Sequence, residues 1–119
     1  IPAISSGLRA IAETHDALLC DVWGVLHNGV RVYADAADAL QRFRAQGGKV
    51  VMITNSPRPS PGVLAQFADL GVPDGVFDAV VTSGDVTRTL IEDAAGSVWL
   101  LGLERDEPLF AGLNVTRDC

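Results

Sequence analysis

The chain is poor in lysine, in cysteine and in long apolar runs. Its only lysine is Lys49, and eight arginines do not balance the acids, so the formal net charge is −6. We expect no nucleic-acid partner, because phosphate backbones are bound by clustered basic side chains. We expect no membrane partner either, because no apolar stretch approaches the ~20 residues that span a bilayer.

The two cysteines, Cys20 and Cys119, provide neither a disulfide framework nor the spacing of metal ligands. Cys20 lies inside an apolar run, which predicts a buried and reduced thiol. The chain begins at Ile1, and no charged segment precedes an apolar one as in a secretory signal. We therefore expect a cytoplasmic protein that has been trimmed at its start.

Apolar segments of strand length alternate with segments of helical period, which predicts an α/β fold. The first strands are continuous apolar runs, as in a parallel sheet that is buried on both faces. Predicted strands occupy residues 17–22, 49–54, 79–82 and 97–101. Predicted helices occupy residues 6–13, 34–46, 60–70 and 83–94. Ser60 and Pro61 are expected to provide the N-cap and first turn of the third helix, whereas residues 102–119 are weakly patterned.

Two of the predicted strands end in polar residues, at the edge where an open parallel sheet binds its ligands. Asp21 ends the first strand, and a loop containing Gly24 follows it, whose N–H groups could surround an anion. Thr54 and Asn55 end the second strand and could donate hydrogen bonds to the same anion. Each residue has an ordinary alternative, because aspartate caps turns and threonine ends many strands.

Together these two segments resemble motifs I and II of the haloacid dehalogenase superfamily, in particular its class IIA phosphatases. The corresponding stretches are Asp21-Val22-Trp23-Gly24-Val25 and Thr54-Asn55-Ser56. Further similar stretches are Leu26-His27-Asn28-Gly29, Val81-Thr82-Ser83-Gly84 and residues 96–102. The resemblance implies the Rossmann-like parallel sheet of that family's core, incomplete, in residues 1–95. It also implies the beginning of a C2-type cap domain, truncated, in residues 96–119.

The resemblance implies a Mg²⁺-dependent phosphatase that acts on small phosphorylated metabolites. Asp21 would be the catalytic nucleophile and would form an aspartyl-phosphate intermediate. Thr54 and Asn55 would bind the phosphoryl oxygens of the substrate. Mg²⁺ would be held by Asp21 and by the backbone carbonyl of Trp23, in keeping with its preference for oxygen ligands.

Three departures from the family pattern concern turnover. Trp23 replaces the family's acid/base aspartate, and indole cannot shuttle a proton. General acid–base catalysis typically raises the reaction rate by ~10²–10⁴-fold. His27 is a possible substitute acid/base. Lys49 opens the second strand, ~15–20 Å from the site, and cannot serve as the family's lysine. Asp85 resembles the acidic metal motif without its second acid, and is expected in the first turn of a helix.

Two functional hypotheses follow. The chain is either part of a phosphatase, inactive by itself, or a phosphate-binding or scaffold fragment without catalysis. In class IIA proteins the lysine and the acidic motif follow a cap inserted after motif II, so the sequence indicates a truncated chain. A phospho-acceptor receiver domain is disfavoured, because adjacent acids after the first strand and a late lysine are absent.

Truncation would leave the first predicted strand, residues 17–22, at the edge of the sheet. An apolar strand with unpaired backbone groups invites association. The sequence therefore predicts a homo-oligomer formed through this edge, or a local rearrangement that covers it.

Overall fold

A three-stranded parallel sheet forms the centre of the protein in the computed structural model, which describes residues 5–117. Its strands are β1 (Ala17–Asp21), β2 (Lys49–Thr54) and β3 (Ala79–Thr82), in the order β1-β2-β3. Asp21 pairs with Ile53, and Thr54 pairs with Thr82, so the three strands end together at one edge. The predicted parallel α/β sheet is confirmed, and its strand bounds agree with the sequence to within one residue.

Four helices lie within the segments where the apolar periodicity predicted them, namely α1 (Arg9–Ala12), α2 (Ala34–Ala45), α3 (Ser60–Leu70) and α4 (Ser83–Glu92). A fifth, α5 (Glu107–Phe110), lies in the weakly patterned segment and was not predicted. The predicted helix at 6–13 is reduced to one turn, and α1 contains no buried residue that would stabilise a longer one. Between residues 5 and 117, no helix has the length and apolar character needed to cross a bilayer.

The start of α3 corrects one prediction. Its N-cap residue is Pro59 rather than Ser60, and no side chain caps the helix locally. The Ser60 N–H instead donates a hydrogen bond to Oδ1 of Asp85, at 3.0 Å. The first-turn amide of α3 is therefore satisfied by a carboxylate from α4, a partner that local sequence does not reveal. The end of the helix agrees with the prediction, because Gly71 terminates it with a left-handed φ of 76°.

The hydrophobic core covers one face of the three-stranded sheet. Val50 and Met52 of β2 are both fully buried on this face. Residues of α2, α3 and the connecting loops pack with them, namely Ala37, Leu40, Phe43, Val63, Phe67, Val22, Leu26 and Val76. The apolar side of α2 predicted from its spacing is therefore the side that is buried.

The opposite face of the sheet is open. Leu19 is 71% exposed, Ile53 40% and Val81 39%, one residue from each strand. The apolar runs predicted strands buried on both faces, and this is wrong for the part of the chain that the structure describes. Cys20 is correspondingly half-buried rather than buried, and partial burial together with the neighbouring Asp21 charge raises the pKa of its thiol.

A second, two-stranded parallel sheet follows α4. It consists of β4 (Val98–Leu100) and β5 (Val115–Arg117), joined through a 3₁₀ turn at Glu104–Asp106 and α5. The weak pattern after residue 101 did not predict β5, because three residues are too few to show a period. Arg88 of α4 links the two parts by donating hydrogen bonds to the carbonyls of Leu109 and Ala111, at 2.9 and 3.0 Å.

Asp78 holds the amino-terminal edge of the sheet together. Arg44 donates to both carboxylate oxygens, at 3.0 Å from Nε and 2.7 Å from Nη2, and the Val50 N–H donates to Oδ2 at 2.8 Å. These hydrogen bonds, with that of Arg44 the largest effect, lower the pKa of Asp78 to about 2. The Lys49 Nζ lies 3.8 Å from the same carboxylate, so the only lysine occupies the end of β2 opposite Thr54, as predicted.

The lowered pKa of Asp78 predicts a loss of stability in acid. Its ionised form stabilises the fold above its ordinary pKa of 3.8, and this contribution disappears as the pH falls toward 2. Asp78→Asn should be less stable than wild type near neutral pH, and the difference should shrink below about pH 4. Urea unfolding of both proteins across this range measures the difference. A constant difference at every pH would contradict the assignment.

Candidate active site at the strand ends

The carboxyl ends of β1 and β2 bring Asp21, Thr54 and Asn55 to one edge of the sheet. The two strands are neighbours, so their backbones lie ~4.8 Å apart. Asp21 is exposed, and its Oδ1 accepts a hydrogen bond from the Val22 N–H at 2.8 Å. Within the described residues the other carboxylate oxygen makes no hydrogen bond, so it can meet a ligand.

Thr54 and Asn55 differ in their surroundings. Thr54 is 4% exposed, and its Oγ1 accepts a hydrogen bond from the Ser56 N–H at 3.2 Å. A hydroxyl that accepts one bond still carries a hydrogen to donate. Asn55 is exposed. The alternation of strand side chains places Thr54 and Asp21 on opposite faces, so an anion bound by both would lie across the end of the sheet.

The loop after β2 is pressed against the start of α4 at Gly84. A Cβ at this buried glycine would lie 2.2 Å from the Pro57 carbonyl oxygen, so no other residue fits without moving the backbone. The Gly84 N–H also donates to the Ser56 carbonyl at 3.2 Å. The segment that follows Asn55 is therefore positioned by a tight backbone contact.

Asp85 strengthens the same junction. It lies in the first turn of α4, as predicted, and its N–H donates to Oγ1 of Thr82, the N-cap residue, at 2.9 Å. Its carboxylate accepts from Ser60 of α3. The sequence contained a signal for the first bond, a threonine three residues before an acid, but none for the second. Asp85 is engaged in holding two helices together.

The loop after Asp21 folds back on itself around Trp23. A Cβ at Gly29 would lie 2.4 Å from the Trp23 ring, and Gly29 has a φ of 83°, so a glycine is required twice over. The indole is half-exposed, and its centroid lies 4.9 Å from the His27 ring in an edge-on arrangement. No backbone hydrogen bond among residues 5–117 uses the Trp23 carbonyl, which is therefore available as an oxygen ligand.

His27 is fully buried beneath this loop. The Gly29 N–H donates to its Nδ1 at 3.0 Å, which places the ring proton on Nε2. Nε2 has no hydrogen-bond partner in the described part of the chain, and the Phe67 ring lies 5.8 Å away. Burial lowers the pKa of His27. The ring is buried against the rings of Trp23 and Phe67, and its role as a substitute acid/base stays a prediction.

A cleft of about 510 Å³ opens beside the strand ends. It is lined by Trp23, by residues 56–59 and Gln66, and by four residues that follow β4, namely Arg105, Asp106, Pro108 and Leu109. Sequence reasoning did not find this cleft, because its lining residues come from segments far apart in the chain and nothing local indicates that they meet.

No group of three or more His, Cys, Asp or Glu side chains that could hold a metal ion occurs within residues 5–117. Asp21 and the Trp23 carbonyl, the ligands that the family resemblance implies, both have an oxygen without a hydrogen-bond partner in the described residues. Mg²⁺ is often bound by one or two carboxylates together with waters and substrate phosphate. The donor set is compatible with such an ion and too small to enclose one.

Comparison with known proteins identifies the class to which this fold and site belong. Residues 18–116 match the model of the haloacid dehalogenase-like hydrolase family, and the chain belongs to that family. The resemblance of the two strand-end motifs is thereby confirmed, as is the α/β fold that it implied.

Two chronophins are among the curated relatives. Chronophin from Rattus norvegicus is 34% identical over 124 residues, which cover 95% of this chain and 40% of the relative. Chronophin from Homo sapiens is 30% identical over 123 residues, covering 95% of this chain and 42% of the relative. The chain thus spans about two fifths of the length of the curated relatives it matches.

Two solved structures extend the comparison. A haloacid dehalogenase-like hydrolase from Brucella suis is 46% identical with a TM-score of 0.85, covering 98% of this chain and 44% of that one. A glycerol phosphate phosphatase from Mycobacterium tuberculosis, crystallised with magnesium, is 27% identical with a TM-score of 0.63, covering 91% and 33%.

The buried position of His27 predicts how its ring titrates. His15→Asn leaves one histidine, so that a single ring Hε1 signal can be followed by proton NMR. The midpoint of its titration should lie below the ordinary pKa of 6.5, because burial disfavours the charged ring. A titration midpoint at or above the ordinary pKa of 6.5 would mean that the ring reaches solvent.

Proposed function

We propose that this chain is part of a class IIA phosphatase that hydrolyses small phosphorylated metabolites, with Asp21 as the nucleophile. The observation that carries the proposal is the meeting of Asp21, Thr54 and Asn55 at the ends of neighbouring parallel strands, in a chain of this family. One relative is by name a glycerol phosphate phosphatase, which supports a small phosphorylated substrate.

In the proposed reaction a carboxylate oxygen of Asp21 attacks phosphorus in line, and the bond from phosphorus to the leaving oxygen breaks. Water then hydrolyses the aspartyl-phosphate and regenerates the carboxylate. Thr54 and Asn55 donate hydrogen bonds to the phosphoryl oxygens. Trp23 cannot protonate the leaving oxygen, so an aryl phosphate, whose leaving group needs no proton, should react faster than an alkyl phosphate.

Asp21 and the Trp23 carbonyl are the groups that would hold Mg²⁺ in this proposal. The ion would neutralise charge on the phosphoryl oxygens. We also propose that residues 1–95 belong to the catalytic core and 96–119 to the beginning of a cap. The division into a three-stranded and a two-stranded sheet supports this boundary. A cytoplasmic location and the absence of a nucleic-acid partner stay predictions.

The second candidate function is a phosphate-binding or scaffold fragment without catalysis. It is favoured by two observations in the described residues. Lys49 is paired with Asp78 at the far end of β2, and Asp85 is engaged between α3 and α4. Neither residue is placed to assist a reaction at Asp21. In this function the chain would bind phosphate at the strand ends and would not hydrolyse a phosphate ester.

Phosphate release from p-nitrophenyl phosphate separates the two functions. Any release by the folded chain should require Mg²⁺ and should be abolished by Asp21→Asn, because an amide cannot serve as the nucleophile. Asp16→Asn, an exposed aspartate before β1, is the matched control and should retain activity.

Three results are informative in that assay. Release that survives Asp21→Asn would refute the nucleophile assignment. Phosphate binding without release would favour the scaffold function. A folded protein that neither binds nor releases phosphate would refute both.

We further propose that two copies of the chain associate through β1. The strand lies at the edge of the sheet order β1-β2-β3, and its own Leu19 is largely exposed. An apolar groove of about 320 Å³ runs along the same strand, with Leu18, Val25 and Leu40 in its walls. An unpaired apolar edge of this kind favours pairing with an identical strand.

Sedimentation velocity tests the association. The wild type should sediment as a dimer with slow hydrogen exchange at residues 18–20, and Leu19→Glu should shift it to a monomer, because a charge at the edge opposes pairing. Leu90→Glu, also at a well-exposed leucine, is the control and should leave the dimer intact. A monodisperse wild-type monomer with fast exchange at residues 18–20 would overturn the proposal.

A further inference from the structure

We propose that His27 is a positioning residue for the Mg²⁺ site at the end of β1, and that its buried ring holds the following loop so that the Trp23 carbonyl stays directed outward as an oxygen ligand. The inference rests on the proposed function, because it takes Asp21 and this carbonyl as the groups that hold Mg²⁺. The role requires His27 to accept a hydrogen bond and is distinct from the predicted acid/base role, which requires it to exchange a proton.

The backbone of His27 sets the direction of the Trp23 carbonyl. The Gly24 N–H donates a hydrogen bond to the His27 carbonyl at 2.8 Å. This N–H and the Trp23 carbonyl belong to one planar, trans peptide unit, so they point in opposite directions. The Trp23 carbonyl is therefore directed away from His27, and its direction would change if residue 27 moved.

The side chain of His27 in turn fixes residue 27. The Gly29 N–H donates to Nδ1 at 3.0 Å, which closes a turn over three residues. Gly29 lies so close to the indole that a Cβ there would be 2.4 Å from the Trp23 ring. The rings of Trp23 and Phe67 pack on the imidazole, with centroids 4.9 and 5.8 Å away. One buried ring thus connects the loop to itself and to α3.

The second ring nitrogen indicates that packing alone does not account for a histidine here. Nε2 of His27 is buried and has no hydrogen-bond partner in the described residues. A buried donor without a partner opposes folding. The other nitrogen, Nδ1, provides what an apolar side chain of similar size could not, an acceptor for the Gly29 N–H. A group that opposes folding while it organises a candidate site is typical of a functional position.

The test compares His27→Leu with His27→Asn in the whole chain. Asparagine places an amide oxygen close to the position of Nδ1 and can accept the Gly29 N–H, whereas leucine cannot. Calorimetric titration with Mg²⁺ alone, at about pH 8 where an ordinary histidine is neutral, measures metal affinity without turnover. Hydrogen exchange of the Gly29 amide reports on the loop without any metal.

We expect His27→Leu to weaken Mg²⁺ binding by about tenfold or more, the usual effect of removing a group that orients a metal ligand. The Gly29 amide should exchange faster in this variant, and His27→Asn should restore both values toward those of wild type. Gly29→Ala should also weaken Mg²⁺ binding, because its methyl group displaces the indole while His27 is unchanged. Inorganic phosphate binding in the absence of Mg²⁺ should be the same in all of these proteins.

Two further variants are controls. Asp21→Asn should abolish Mg²⁺ binding, which shows that the titrated ion lies at the end of β1. Phe67→Leu alters a core side chain that packs on the same ring. It should lower the urea midpoint and leave Mg²⁺ affinity unchanged. A merely structural role for His27 predicts instead that Mg²⁺ affinity follows stability in both His27→Leu and Phe67→Leu.

The outcomes separate this inference from the proposed function. Wild-type Mg²⁺ affinity in folded His27→Leu, or a loss of affinity that His27→Asn does not restore, would overturn the inference and leave the proposed function standing. If His27→Leu does not fold, wild-type Mg²⁺ affinity in Gly29→Ala would overturn it. Wild-type protein that is folded and binds neither Mg²⁺ nor inorganic phosphate would overturn the proposed function, and this inference with it.

Discussion

The parallel pairing of β1 with β2 is the constraint on which the rest of the structure depends. Its register sets Asp21 beside Ile53, and the following residues, Thr54 and Asn55, therefore emerge at the same edge. A shift of one residue would move Val50 and Met52 from the core to the open face. The burial of these two side chains under α2 and α3 thus fixes the geometry of the strand ends. The alternation of side chains along β2 therefore determines both the packing of the core and the geometry of the strand ends.

The contact between the β2–α3 loop and α4 positions residues that line the cleft. Gly84 permits the approach, and Asp85 joins Thr82 to Ser60. The loop contributes Arg58 to the lining of the cleft, and Arg88 of α4 holds the segment around Leu109, which also lines it. A carboxylate that resembles part of a metal motif in sequence is here a structural connector. The identity of its partners, rather than its residue type, determines what it does.

The open face of the sheet and the buried histidine show where sequence reasoning was incomplete. Apolar runs at β1 to β3 predicted burial on both faces, yet the described residues supply helices to one face only. An apolar sequence shows that a strand is able to be buried. Whether a helix covers a given face of the sheet is decided by the tertiary structure. Likewise His27 follows motif I as a loop residue in sequence, but the folding of that loop around Trp23 encloses its ring.

The sequence by itself determined the three core strands, the helices between them and the motif residues Asp21, Thr54 and Asn55, because these follow from local periodicity and from residue types at strand ends. Tertiary structure alone decided that Asp85 accepts the Ser60 N–H at the start of α3, that three residues near the end of the chain form β5, and that Arg58 and Arg105 share a cleft. Each of these depends on contacts between segments far apart in the chain. Such contacts leave no period in a sequence, because they arise only when the elements pack.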